Sequence, residues 1–338
     1  MLPLRFAPYH QLDGVPNVIV DGSVNDSTRI VLSHWPGSPT PKEVLDDLSA
    51  QIAFRALDYP SWFDGIDVVT NNHFDQDGLC SVYALTNPVA AMERRELVVD
   101  VARAGDFGTY VSRDAARMSF VIATFEDPQR SPLDPKTFVG SYPEQCGRLY
   151  EAVLPKMTEL LDHPARFRDL WDAEDAHLQS SIDAIDSGVV RIDEHPELDL
   201  AIVTVPQDWA ERTAHRFTQT RLDAVHPMAV NQATSCLRLL VMQDRDYRIE
   251  YRYETWVMYV SRAVKRRPDL RPLAAIVNEI ESSESRWSAD GPGSLTPRMR
   301  LDGGDSTIAP EEFIELVTGY LRTAPGAWDP FSASPTQA

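Results

Sequence analysis

The sequence predicts an α/β protein: a mostly parallel sheet flanked by helices in an N-terminal domain, followed by a second, α+β domain. Short apolar, β-branched runs alternate with longer stretches of helical periodicity through the first part of the chain. Later, strand-like runs come in pairs separated by short polar turns. At 338 residues, with 43% hydrophobic and 25% charged side chains, the chain is long enough for two ordinary domains and has the composition of a folded one. The expected division is 1–160, 161–325 and a disordered tail over 326–338.

In chain order, "TRIVLSHW" is an apolar strand broken at Pro36-Gly37. "TPKEVLDDLSAQIAFRAL" spaces Val44, Leu45, Leu48, Ile52 and Ala56 at helical intervals and opens on Thr40-Pro41, which predicts a helix capped at Thr40. "GIDVVTNN" reads as a second buried strand, "GLCSVYALTNP" as a helix ending before Pro88, and "RRELVVDVARAGDFG" as a helix closed by Gly105. "RSPLDPKTFVGSYPEQ" reads as a loop. The acidic stretch from Cys146 to Asp186 is helical and interrupted near His163-Pro164. "GVVRIDEH" with "LDLAIVTVP", and "CLRLLVMQ" with "YRIEYRYETWVMYV", form two hairpin-like pairs; "RRPDLRPLAAIVNEI" is helical. A glycine-rich loop leads to a last helix over Glu311–Leu321.

Composition narrows the function. A net charge of −19 argues against general affinity for bulk duplex nucleic acid. Locally, Asp244–Arg271 holds eight basic residues against five acids, a net +3. No apolar run reaches the ~20 residues of a membrane span, and the N-terminus lacks the pattern of a secretory signal. Three cysteines without CxxC spacing fit a reducing cytoplasm.

The densest chemistry lies in "TNNHFDQDGL", just past the second strand. Ligands of open α/β sheets bind beyond the carboxyl ends of strands. In an extended segment His73, Asp75 and Asp77 would face one point, and Gly78 would let the chain turn away. Imidazole and carboxylate without thiolate suit Mn²⁺ or Mg²⁺. A helix cap at Asp77 is the plainer alternative. A pair of ions needs further donors, for which Asp106 in "AGDFG" and His34 at the end of the first strand are candidates.

These residues resemble the first motif of the DHH phosphoesterase superfamily, a strand followed by His-x-Asp-x-Asp-Gly and a helix rich in small residues. The resemblance implies a Mn²⁺ (or Mg²⁺) pair and attack by an activated water on a phosphodiester or phosphoanhydride. His73 and Asp75 would ligate one ion, Asp77 the other, and Asp106 would bridge them. The family's Asp-His-His is absent downstream. Its nearest counterpart is the upstream "VLSHWPG", with His34, followed by a helix on which Asp47 matches a further ligand. Gly303 and Gly304 resemble the family's substrate loop only in being glycine-rich.

The expected substrate is a small phosphorylated molecule or short oligonucleotide, held by Arg248 and Arg252 at even spacing on a strand. A second copy in a homodimer is the expected protein partner, and no membrane is involved. The alternative is a non-catalytic phosphate- or nucleotide-binding protein with a degenerate site. A serine or cysteine hydrolase is disfavoured: no G-x-S-x-G elbow occurs and Cys80 sits inside a helix.

Overall fold

The computed structural model of the chain describes residues 3–333, which divide into two compact units. The first runs to Ala176 and takes in Thr213–Leu222; the second holds His177–Arg212 and Asp223–Ala333. The division thus falls at Ala176, where the sequence placed a boundary at 160.

In the first unit, β1 (Arg5–Phe6), β2 (Asn17–Val20), β3 (Thr28–Leu32) and, after helix α1 (Ser49–Ala56), β4 (Val68–Thr70) form one sheet. Its order is β1–β4–β2–β3 and every pairing is parallel. β2 and β4 are buried at every position, as parallel strands covered on both faces must be. Seven helices follow: α2 (Gln76–Thr86), α3 (Pro88–Glu93), α4 (Arg95–Phe107), α5 (Arg113–Glu126), α6 (Tyr142–Val153), α7 (Met157–Asp162) and α8 (Arg168–Asp186), the last belonging to the first unit only as far as Ala176. α2 is buried on every side from Gln76 to Leu85 and packs against α1, α4 and α5. A helix buried all round belongs at the centre of a unit, and its polar Gln76, Asp77 and Ser81 are buried with it.

Three expectations need correction here. The helix expected from Thr40 starts only at Ser49. Thr40 does not cap it: its hydroxyl accepts from Ser33 N (2.9 Å) and donates to Ser33 O (2.6 Å), tying the loop to the end of β3. α4 does not close at Gly105 but runs on to Phe107, with Gly108 in the left-handed conformation (φ 61°) as its cap. Asp106 therefore stands in the last helical turn. β2 and α5 had no counterpart among the expected elements. Gly108→Ala forces a Cβ into that left-handed position and should cost about 1 kcal/mol. The measure is a lower urea midpoint at unchanged m-value; an unmoved midpoint would contradict it.

The second unit contains β5 (Arg191–His195) and β6 (Leu200–Val205), then a two-stranded ribbon, β7 (Arg212–Arg216) with β8 (Gln219–Asp223), whose residues 213–222 belong to the first unit. It continues with α9 (Pro227–Ala233), β9 (Arg238–Gln243), β10 (Asp246–Tyr251), β11 (Arg267–Pro268), α10 (Arg271–Ile280), β12 (Trp287–Ala289), β13 (Arg298–Leu301), α11 (Pro310–Thr323) and β14 (Gly326–Trp328). Its main sheet runs β12–β13–β10–β9–β6–β5, parallel only between β6 and β9. Leu200, Ile202, Leu240 and Ile249 pack with Leu273 and Val277 of α10 and Phe313 and Val317 of α11. The expected strand does not continue through "ETWVMYV": β10 ends at Tyr251. Residues 326–328, expected in a frayed tail, pair with β11; the tail beyond Ala333 lies outside the described residues. Among the described residues no helix is long and apolar enough to cross a membrane.

Candidate metal centre

Three parallel strands deliver their carboxyl ends to one place. Asp21 follows β2 directly, His34 lies two residues past β3, and His73 to Asp77 follow β4. Because β2 lies between β3 and β4, a residue at its end meets the side chains leaving both neighbours. Asp21 adopts a left-handed backbone (φ 43°), a conformation that a non-glycine residue keeps only when its surroundings enforce it. The next residue, Gly22, has no room for a side chain: a Cβ there would lie 2.1 Å from Asn72 Oδ1.

The oxygens of Asp21 divide between two histidines. Its Oδ1 is 3.3 Å from His34 Nε2, and its Oδ2 is 3.4 Å from His73 Nε2. His34 Nε2 also lies 3.8 Å from Asp77 Oδ2 and 3.4 Å from Asp106 Oδ2. His73 Nε2 lies 3.0 Å from Asp75 Oδ2, and the ring packs against Trp35 at 5.1 Å between centroids. Two groups of potential ligand atoms result, each within 4.8 Å: Asp21, His34 and Asp77, and Asp21, His73 and Asp75. Asp21 is common to both.

Local structure holds each donor. Asp75 is the N-cap of α2, its Oδ1 accepting from Gly78 N at 2.8 Å. Asp77 lies in the first turn of α2 and reaches across to α1, where Oδ2 accepts from Ser49 N and Oδ1 from Ala50 N, both at 2.7 Å. A carboxylate from another segment thus satisfies the orphan donors of α1. The groups converge through a cap and a helical turn, not through the extended alternation expected for residues 73–77. Ser49 Oγ donates to Asp21 Oδ1 (2.8 Å). His34 Nδ1 lies 2.5 Å from the Asp47 carbonyl oxygen, which can only accept, so the hydrogen sits on Nδ1 and Nε2 is turned to the acids.

His34, His73, Asp75, Asp77 and Asp106 lie together. Asp47 contributes its backbone carbonyl to His34, not its carboxylate to the cluster. Asp106, expected as the bridge, stands beside His34 and outside both three-residue groups; the shared carboxylate is Asp21, which the sequence did not single out. The available signal was the string "NVIVDG", an apolar run ending in Asp-Gly as "DVVT" ends ahead of Asp77-Gly78. Arg248 is ion-paired to Asp223 (2.5 Å), and the buried Arg252 pairs with Glu254 and donates to the carbonyls of Asn231 and Thr234. Neither guanidinium is held open for a ligand in the way the sequence suggested. Gly303 and Gly304 form a left-handed turn (φ 95° and 71°).

Electrostatics favour a cation. Asp21, Asp77 and Asp106 are at most 1% exposed and Asp75 is 8% exposed. Burial, then the neighbouring aspartates, push the Asp77 carboxyl up to about 7 and the Asp106 carboxyl well above its usual range. For Asp21, burial is outweighed by hydrogen bonds from both histidines, which hold it below that range. Neither oxygen of Asp106 accepts a hydrogen bond. Four buried carboxylates with two imidazoles, and one carboxyl without a donor, match the oxygen-and-nitrogen set of a hard divalent ion. Cys80 is no rival ligand: burial pushes its thiol well above the ordinary value.

The fold and cluster define an α/β protein whose acid and imidazole side chains gather beyond the carboxyl edge of a parallel sheet, a set that can hold a metal ion. The chain belongs to the family of unknown function DUF6687, whose model matches residues 2–332. No curated protein matches it. Among solved structures it is similar to an exopolyphosphatase-related protein from Bacteroides fragilis at 10% identity and a TM-score of 0.28. That match covers 90% of this chain and 63% of the other, so the chain spans less than two thirds of that protein's length.

Proposed function

We propose that the chain is a phosphoesterase dependent on a pair of divalent ions, Mn²⁺ or Mg²⁺, hydrolysing a phosphodiester or phosphoanhydride of a small molecule. The observation that carries this reading is the sharing of Asp21 between two Asp/His groups at the ends of three parallel strands. Asp21, His34 and Asp77 would hold one ion, with Asp106 beside His34 as a further donor; Asp21, His73 and Asp75 would hold the other. Such ions supply polarisation of a phosphoryl oxygen and a lowered pKa for water. The chain's own part is to fix the donors before the substrate arrives. Asp77 is locked by two backbone N–H groups, Asp75 by the cap it forms, and His34 by the Asp47 carbonyl. Water supplies the nucleophile, so no serine or cysteine is called for.

The test is Mn²⁺ content after chelation and reloading, followed by hydrolysis of bis-p-nitrophenyl phosphate and of pyrophosphate. Asp75→Ala should cut both metal retention and turnover by about 100-fold or more, since loss even of an outer partner of a metal ligand costs 10–100-fold. A chain that takes up no Mn²⁺ sinks the reading. Mn²⁺ uptake and phosphate binding without hydrolysis would assign the non-catalytic alternative.

A further inference from the structure

The ribbon β7–β8 carries none of the ligands described above, yet it is fastened to two of the segments that do. Gln76, between Asp75 and Asp77, donates from Nε2 to Phe217 O at 3.1 Å, and to Ser119 O and Oγ at 3.0 and 3.1 Å. Its path is open because residue 105 is glycine: a Cβ there would lie 2.5 Å from the Gln76 side chain. From the ribbon, Arg216 Nη1 donates to Gly105 O at 3.1 Å and to Asp106 O at 2.7 Å. Both carbonyls belong to the last turn of α4, where no helical N–H remains to satisfy them. A cation there also opposes the negative end of the helix dipole.

The turn that presents Arg216 is itself held. His215 N donates to Glu174 Oε1 at 2.7 Å, and its ring contacts the other Glu174 oxygen. Phe217 is left-handed (φ 54°), and its ring lies 3.9 Å from the Arg216 guanidinium carbon. Thr218 pairs with the Glu126 carboxyl. All these residues belong to the first unit, although the chain enters and leaves the ribbon through residues of the second.

We propose that Arg216 is a positioning residue of the centre: by satisfying the last carbonyls of α4 it holds the Asp106 carboxyl against His34, and β7–β8 acts as the clasp of the Asp21–His34–Asp77 side. This rests on the metal reading above. It does not make Arg216 a ligand or a catalytic residue. The distinction is measurable, because a clasp of this kind acts on one ion more than on the other.

The experiment is Mn²⁺ titration calorimetry on the full chain, comparing wild type with R216A, R216K, R216Q and T220A. Thr220 lies on the same ribbon and its hydroxyl reaches Asp127 Oδ2 at 3.4 Å, away from the ligands. R216A should weaken one of two Mn²⁺ sites by about 10–100-fold and leave the other within about two-fold. R216K, whose ammonium can still donate to both carbonyls, should recover most of that loss; R216Q, without the charge, should recover little; T220A should match wild type. If R216A does not fold, the contrast between R216K and R216Q decides. Equal affinities in wild type and R216A, or in R216K and R216Q, overturn the assignment while leaving the metal reading intact. Absence of Mn²⁺ uptake by the wild type overturns both.

Discussion

Asp21→Ala should empty both sides of the centre at once. Wild-type protein reloaded with Mn²⁺ and desalted is expected to retain two ions per chain, and the variant none, as read by elemental analysis. Hydrolysis should fall by about 100-fold or more, because even indirect support of a metal ligand is worth 10–100-fold. The reason is geometric: one oxygen of Asp21 faces His34 and the other faces His73, so no other residue of the cluster belongs to both groups. His73→Ala removes a donor from one group only and should leave one ion in place. Asp21→Asn keeps the size and the acceptor for Ser49 Oγ but only one of the two oxygens, and is expected to fall between. An Asp21→Ala protein that still holds two ions would mean that the acid is a structural partner of the histidines and nothing more.

The second large effect is a pH-dependent stabilisation by metal. In the metal-free chain the Asp77 carboxyl is pushed up to about 7, by burial first and by Asp21 next, and Asp106 is raised by burial and by Asp77. The native state therefore holds protons between about pH 4 and 7 that the unfolded chain releases, and stability falls as pH rises through that window. His34 and His73 act in the same direction. Burial would depress them, but the hydrogen bond with Asp21 for the first, and the charge of Asp75 with Asp21 for the second, raise them above 6.5. Their contribution is complete below about 6.5 and is lost as pH climbs through the raised value. Asp21, held low, has the opposite sign but changes only below about pH 4. A divalent ion needs the deprotonated ligands and removes the cost of their charge.

Mn²⁺ should therefore raise the thermal midpoint far more at pH 8 than at pH 5.5. At a hundred-fold excess over the dissociation constant the gain is about 2.7 kcal/mol, or roughly 5–10 °C for a unit of this size. Differential scanning fluorimetry with and without a chelator measures it. Equal gains at the two pH values would show that the carboxyls of Asp77 and Asp106 are not where the ion binds.

Much of this centre is legible in the sequence because its richest segment is local. Histidine, two aspartates and glycine follow an apolar run within six residues, and a parallel sheet turns that position into a binding edge. His34 is legible for the same reason. Asp21 is not: a single acid before a glycine looks like any turn, and its importance comes from β2 lying between β3 and β4, an order set by pairings distant in sequence. Asp47 illustrates a different limit. The sequence displays its carboxylate, while the structure uses its carbonyl, a group every residue possesses. Likewise the helix start expected at Thr40 gives way because Thr40 bonds to Ser33 and a carboxylate from α2 supplies the cap at Ser49 instead. Local propensity loses there to a tertiary partner. Arg248 of β10 and Arg252 just past its end show the converse, since even spacing says nothing of the acids that meet them.

Asp77 accepts the first two free amides of α1 with its two oxygens, and the one bonded to Ser49 N also faces His34. Folding of this unit and the proposed loading of its centre would therefore draw on one negative charge. While that carboxyl keeps a proton, α1 starts on a weakened acceptor; a cation that displaced the proton would stiffen the helix start and the sheet edge together. If the centre takes up an ion as proposed, the rigidity of the unit would follow the supply of divalent ions around it.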